Sequence, residues 1–243
     1  MFDELVLVRH GESTGNEAAE AANLAGAEVI AIDRRDPDVP LSMVGQEQAG
    51  ALGLGLAPLL GDGRTVAVWA SPYLRAVQTA QLALGSARSS LPIILDERLR
   101  DRELGVLDLL TRAGVAARFP LEAQRRQWWG KFYHRPPGGE SWADVALRLR
   151  SFLGDVRGMT TADRVVLVVH DAVVMLVRYV LEGMDEHTLL QLGAADPVKN
   201  ASITSLRRGA DGRWHVQRYN DVTHLERTGA VVTEHGGEPD AAH

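Results

Sequence analysis

Four polar clusters stand out in the chain: Arg9-His10-Gly11, Ser71-Pro72 followed by Arg75, Arg100-Asp101-Arg102-Glu103, and His170-Asp171. A neutral imidazole is a competent nucleophile near neutral pH, and a carboxyl group can protonate a departing alkoxide. Guanidinium forks match the equatorial oxygens over which a phosphoryl group in flight spreads its negative charge. Together the clusters hold two histidines, at least two arginines and one or more carboxylates, an inventory suited to phosphoryl transfer if the fold brings them to one place. Gly11 leaves room for close approach of the backbone to a ligand, and a helix that begins at Ser71 would offer free N–H groups to an oxyanion.

Each cluster follows a short apolar run, at residues 5–8, 66–70, 93–95 and 165–169. Continuous rather than alternating hydrophobicity predicts strands covered on both faces. Helical patterns lie between them at 46–60, 71–84, 141–156 and 172–181. Strands alternating with helices predict an α/β fold, a three-layer α/β/α sandwich with a mostly parallel central sheet. Ligands of such sheets lie outside the carboxyl ends of the strands, so clusters far apart in sequence can converge there. Ser71-Pro72 reads as a helix cap followed by proline at the first helical position, and Ser141 with Asp144 reads as a capping box. Residues 201–207 and 214–219 predict a closing pair of strands at a sheet edge around Ala210-Asp211-Gly212. A single domain over 1–228 is expected, followed by a disordered tail from 229 to 243 that is polar and without periodicity.

The chain has 243 residues and a net charge of −6, with no long basic run, so neither nucleic acid nor an anionic membrane is an expected partner. No cysteine is present, which excludes thiolate zinc sites and a cysteinyl-phosphate route. The amino terminus carries no basic n-region, and no apolar window approaches the ~18 residues of a helical span, so a cytoplasmic location is expected. The remaining histidines show no metal-ligand spacing; neither a metal nor another cofactor is expected.

The segment Arg9-His10-Gly11-Glu12-Ser13-Thr14-Gly15-Asn16 resembles the signature of the histidine phosphatase superfamily, in its phosphoglycerate-mutase-like branch. Further matches follow in family order: 41–49, the second arginine motif at 71–80, Gly139-Glu140-Ser141, 200–204 and 219–225. So many ordered motifs over roughly residues 4–225 make coincidence improbable. The resemblance implies that His10 is the phosphorylated nucleophile, that Arg9, Arg75 and His170 form the phosphate pocket, and that Asn16 contacts phosphate or positions the nucleophile. Arg102 and Glu103 are further substrate-binding candidates. The family's usual proton donor is a glutamate, and the matching position here is Asp101, one methylene shorter. Asp171 stands where this branch usually has glycine, while a different branch uses an aspartate there as the acid. Asp101 is therefore the first choice for the acid, with Asp171 and Glu103 as substitutes.

The implied activity is metal-independent hydrolysis of a small phosphorylated metabolite through a phosphohistidine. A phosphomutase would share the same nucleophile, and a non-catalytic phospho-ligand binding protein would share the pocket. Segments 17–38 and 106–137 are expected to form the cap that selects the substrate. Trp128, Trp129, Phe132 and Tyr133 are expected to pack a helix onto the core, and His134 to be a partly exposed structural residue. Oligomeric state is not encoded in any of these motifs.

Overall fold

The first apolar run forms strand β1 (Glu4–Arg9), with alternate side chains turned to opposite faces of the sheet: Leu5 and Leu7 to one, Val6 and Val8 to the other. All four are fully buried, because helices cover both faces. The computed structural model describes residues 2–235. After β1 come helix α1 (Thr14–Leu24), α2 (Met43–Leu60), strand β2 (Val66–Ala70), α3 (Leu74–Ser86) and β3 (Ile93–Leu95). Helices α4 (Arg112–Arg118), α5 (Pro120–Tyr133) and α6 (Trp142–Met159) precede β4 (Arg164–Val169). Then follow α7 (Asp171–Glu182), α8 (Glu186–Ala195), the strands β5 (Ile203–Arg208) and β6 (Trp214–Asp221), and the short α9 (Thr223–Thr228).

The strand order is β3-β2-β4-β1-β5-β6. The pairs β3–β2, β2–β4 and β4–β1 are parallel, and β5 and β6 run antiparallel at one edge. One core joins α6 and α7 to Leu5, Leu7, Trp69, Val165 and Leu167; the other joins α2 and α3 to Val6, Val8, Val68 and Val166. The expected three-layer α/β/α sandwich is the observed fold. β3 departs from the expectation of a strand covered on both faces: it is the sheet edge, and Ile94 and Leu95 are exposed.

The Ser141 capping box forms as read, with Asp144 closing it. The Ser71 cap does not. Helix α3 begins three residues later, at Leu74, with Tyr73 at its N-cap, and the Ser71 hydroxyl accepts the Tyr73 N–H at 3.2 Å ahead of the first turn. The expected cap segments meet each other: Ile30 N–H donates to Leu109 O at 2.8 Å, and Thr111 N–H donates to Glu28 O at 3.1 Å. Within the second segment only Phe132 packs inward, while Trp128, Trp129 and Tyr133 are exposed, contrary to the expected aromatic packing. His134 is buried rather than partly exposed, with Nε2 3.3 Å from Glu122 Oε2.

The start of the expected tail is held in place. Gln48 Nε2 donates to Val231 O and Thr233 Oγ1, both at 2.9 Å, and His235 Nε2 lies 2.9 Å from Glu12 Oε2. Residues 231–235 thus form a strap across the loop after β1, ordered by tertiary contacts that composition does not reveal. The rest of the expected tail, 236–243, lies outside the described residues. Among the described residues no helix is long and apolar enough to cross a membrane.

Candidate active site

β1, β2 and β4 are adjacent and parallel, so their carboxyl ends deliver Arg9-His10, Ser71 and His170 to one rim of the sheet. The close turn after β1 depends on two glycines. A Cβ on Gly11 would stand 2.5 Å from Gly45 O, and one on Gly45 would stand 1.9 Å from Glu12 O. The close approach at Gly11 is therefore to the first turn of α2 rather than to a ligand. Gly11 N–H donates to Thr79 Oγ1 at 3.1 Å, and Asn200 Nδ2 donates to His10 O at 3.2 Å, so α3 and the segment before β5 fix the backbone at His10.

The hydrogen bonds of His10 assign its tautomer. Nδ1 lies 2.6 Å from Gly11 O, which can only accept, so Nδ1 carries the proton. Nε2 lies 3.3 Å from Arg75 Nε, which can only donate, so Nε2 presents its lone pair. Burial, then the charges of Arg75, His170 and Arg9, hold the His10 imidazole well below the usual histidine range. The ring is thus neutral, with its lone pair facing the Arg75 guanidinium.

A histidine kept neutral in the fold binds fewer protons than it does in the unfolded chain once the pH falls below about 6.5, so stability is lost toward acid. Between pH 6.5 and 5 the unfolding free energy of His10→Ala should fall less steeply than that of the wild type, by up to ~1.4 kcal/mol per pH unit for one proton. Denaturant titrations at several pH values read this slope; equal slopes would mean that His10 is not held neutral.

Arg75 is almost fully buried and its fork is filled by carboxylates. Nη1 donates to Asp36 O at 2.8 Å and Asp36 Oδ1 at 2.9 Å; Nη2 donates to Asp36 Oδ2 at 3.3 Å and Asp101 Oδ2 at 3.0 Å. Asp101 Oδ2 also lies 3.2 Å from His170 Nδ1, and its Oδ1 accepts the Arg102 N–H at 2.8 Å. Burial alone would raise the Asp101 carboxyl, but His170 and Arg75 outweigh it and hold the group well below the usual carboxylate range. His170 is fully buried, with Nε2 2.8 Å from Ser71 Oγ. The rings of His10 and His170 meet edge to face at 5.1 Å.

Among the expected site residues, His10, Arg75, His170 and Asp101 converge within hydrogen-bonding reach of one another. Arg9 lies beside them, buried, with its terminal nitrogens donating to the main-chain carbonyls of Val198 and His235. Asp171 opens α7 and is the charge that most offsets the burial of Arg9. Glu103 sits at the rim, accepting the Tyr73 hydroxyl at 2.7 Å. Arg102 is directed to structure: Nε donates to Glu140 O at 2.6 Å and Nη2 to His134 O at 3.1 Å, which braces the loop before α6. Asn16 is likewise occupied, its Oδ1 3.0 Å from both the backbone nitrogen and the hydroxyl of Ser13 in the capping box of α1.

Two participants escaped the sequence reading. Tyr73 stacks its ring edge against His170 at 5.3 Å, lies under the Arg75 guanidinium at 5.1 Å, and links the site to Glu103. Burial and the Glu103 carboxylate push its phenol up, so it is a lasting hydroxyl donor. Asp36 belongs to the turn Asp36–Asp38 in the first cap segment and reaches Arg75 from outside.

A neutral imidazole lone pair, a buried guanidinium fork and a carboxylate beside a second histidine are groups whose chemistry suits phosphoryl transfer. The family model described as histidine phosphatase superfamily (branch 1) matches residues 5–222. The chain belongs to that superfamily. Among related histidine phosphatases, a glucosyl-3-phosphoglycerate phosphatase of Mycolicibacterium vanbaalenii is 30% identical over 230 residues, covering 89% of this chain and 93% of that protein. A 2,3-bisphosphoglycerate-dependent phosphoglycerate mutase of Gloeobacter violaceus is 34% identical over 166 residues, 68% of each chain. The solved mycobacterial glucosyl-3-phosphoglycerate phosphatase in complex with VO3 superimposes with a TM-score of 0.69 at 28% identity, covering 90% of this chain and 98% of that one.

Proposed function

We propose that this histidine phosphatase superfamily member is a metal-independent phosphomonoesterase that hydrolyses a small phosphorylated metabolite through a phosphohistidine. The observation that carries the proposal is the neutral His10 ring, with Nε2 as acceptor 3.3 Å from Arg75 Nε. Arg75 gathers the phosphoryl oxygens and His10 Nε2 attacks phosphorus in line, as the bond to the leaving oxygen breaks. Asp101 is ionised while the site is empty. The arriving phosphoryl dianion competes for Arg75 and places like charge beside Asp101; both effects raise the carboxyl so that it takes up a proton. Asp101 then protonates the departing alkoxide. As a carboxylate once more, it removes a proton from water, which attacks the phosphohistidine and yields inorganic phosphate and free His10.

Hydrolysis is preferred to mutase action because Asp101 and Asp171 both depart from the pattern of the phosphoglycerate-mutase-like branch, which has glutamate and glycine at these places. Phosphatases stand among the relatives alongside mutases, and the substrates those phosphatases are named for are the first compounds to try.

The test is phosphate release from p-nitrophenyl phosphate and a panel of natural monoesters in the presence of a chelator. Steady release of inorganic phosphate is expected. Conversion of 3-phosphoglycerate to its 2-isomer with added 2,3-bisphosphoglycerate, and no phosphate released from any ester, would replace this reading with the mutase.

A further inference from the structure

Asp36 holds the place on Arg75 that a substrate phosphoryl group needs. The guanidinium has one Nε–H turned to His10 and its two terminal nitrogens turned to Asp36 and Asp101. A carboxylate set against both terminal nitrogens is the geometry by which arginine also grips phosphate. The turn carrying Asp36 does not need this contact in order to form. Asp38 N–H donates to Arg35 O, Val39 N–H donates to Asp36 O, and Asp38 pairs with Arg35 at 2.8 Å. Asp36 O accepts from Arg75 Nη1 independently of the side chain, so the carboxylate can swing away while the backbone stays anchored. The side chain is 37% exposed, which leaves it solvent to move into.

We propose that Asp36 is an intramolecular competitor for the phosphate fork: substrate displaces its carboxylate from Arg75, and the carboxylate returns after turnover to help expel inorganic phosphate. The effect on affinity is the same for any tetrahedral oxyanion that uses Arg75, because each must first break the same contact. The expulsion step rests on the hydrolytic reading above; the competition does not. A hydrolase gains from such a device, since its product is the smallest ligand that fits the pocket and would otherwise hold it.

The experiment is titration of the full chain with inorganic phosphate and with orthovanadate by calorimetry, comparing wild type, Asp36→Asn, Asp36→Ala and Asp38→Asn, together with phosphate inhibition of p-nitrophenyl phosphate turnover. Replacing a charge-assisted contact should tighten both oxyanions by about tenfold or more in the two Asp36 variants. KM should fall in parallel, with product inhibition setting in earlier, while Asp38→Asn stays at the wild-type affinity. A carboxylate that merely shaped the loop or oriented Arg75 would weaken binding when removed, so unchanged or weaker phosphate affinity in both Asp36 variants overturns the proposal. Because phosphate binding is read without turnover, an inactive wild type that shows the tightening would reject the hydrolytic reading and leave the competition standing.

Discussion

His10→Ala should abolish phosphate release, lowering kcat by something on the order of 10⁵ to 10⁶, the scale on which removing a covalent nucleophile acts. The size of the loss follows from the arrangement around Nε2. Arg75 and His170 can still gather an anion, but no other lone pair is set against the Arg75 fork with its proton already committed to the far ring nitrogen. The variant should therefore still bind orthovanadate or phosphate, because the guanidinium remains in place when the neutral ring is removed. Rapid quench with a ³²P-labelled ester should trap an acid-labile, base-stable phosphoprotein in the wild type and none in His10→Ala. Residual turnover within about tenfold of wild type would place the nucleophile elsewhere.

Asp101→Asn should lower kcat by about 10² to 10⁴ on alkyl phosphates, the range that general acid catalysis contributes, and by much less on p-nitrophenyl phosphate, whose leaving group needs no proton. The contrast between the two substrates is the diagnostic, because a mere loss of charge at Arg75 would affect both equally. The pair Asp171→Asn and Glu103→Gln provides the comparison. Asp171 lies with Arg9, and Glu103 is bound to Tyr73 at the rim, whereas Asp101 touches Arg75 and His170 directly. If the leaving-group dependence appears in Asp171→Asn or Glu103→Gln and not in Asp101→Asn, the acid is the residue whose variant shows it.

The parts of this site that sequence makes legible are those announced by pattern. Apolar runs flanked by polar clusters locate the ends of β1, β2 and β4, because strands buried on both faces have little freedom in composition. His10, Arg75 and His170 stand at or just beyond these ends, Asp101 follows the edge strand β3, and the fold brings the four together. Ser71 misled because a serine before proline has the same signature whether its hydroxyl caps a helix or, as here, binds a histidine 99 positions away. Arg102 carries the right chemistry for phosphate but directs it to a loop brace through Glu140 and His134, neighbours distant in sequence, while Asn16 turns its Oδ1 to the cap of α1. Asp36 was hidden among Asp33 and Asp38 in a polar loop, where nothing local distinguishes a residue that reaches Arg75 from one that faces water. The strap at 231–235 was unreadable for a related reason: its order comes from Gln48, Asn200 and Glu12, and none from its own periodicity.

The position of β4 between β1 and β2 has a kinetic meaning. His10 leaves β1 and Arg75 follows β2, yet these strands are not partners; both pair with the later strand that begins at Arg164, which lies between them. During refolding, His10 and Arg75 are expected to meet only when a segment more than 150 residues downstream of β1 has been placed between their strands, a step that closes long loops at entropic cost. Anion affinity is thus a late-arriving property of the chain, acquired with the final sheet and not with any smaller folding unit.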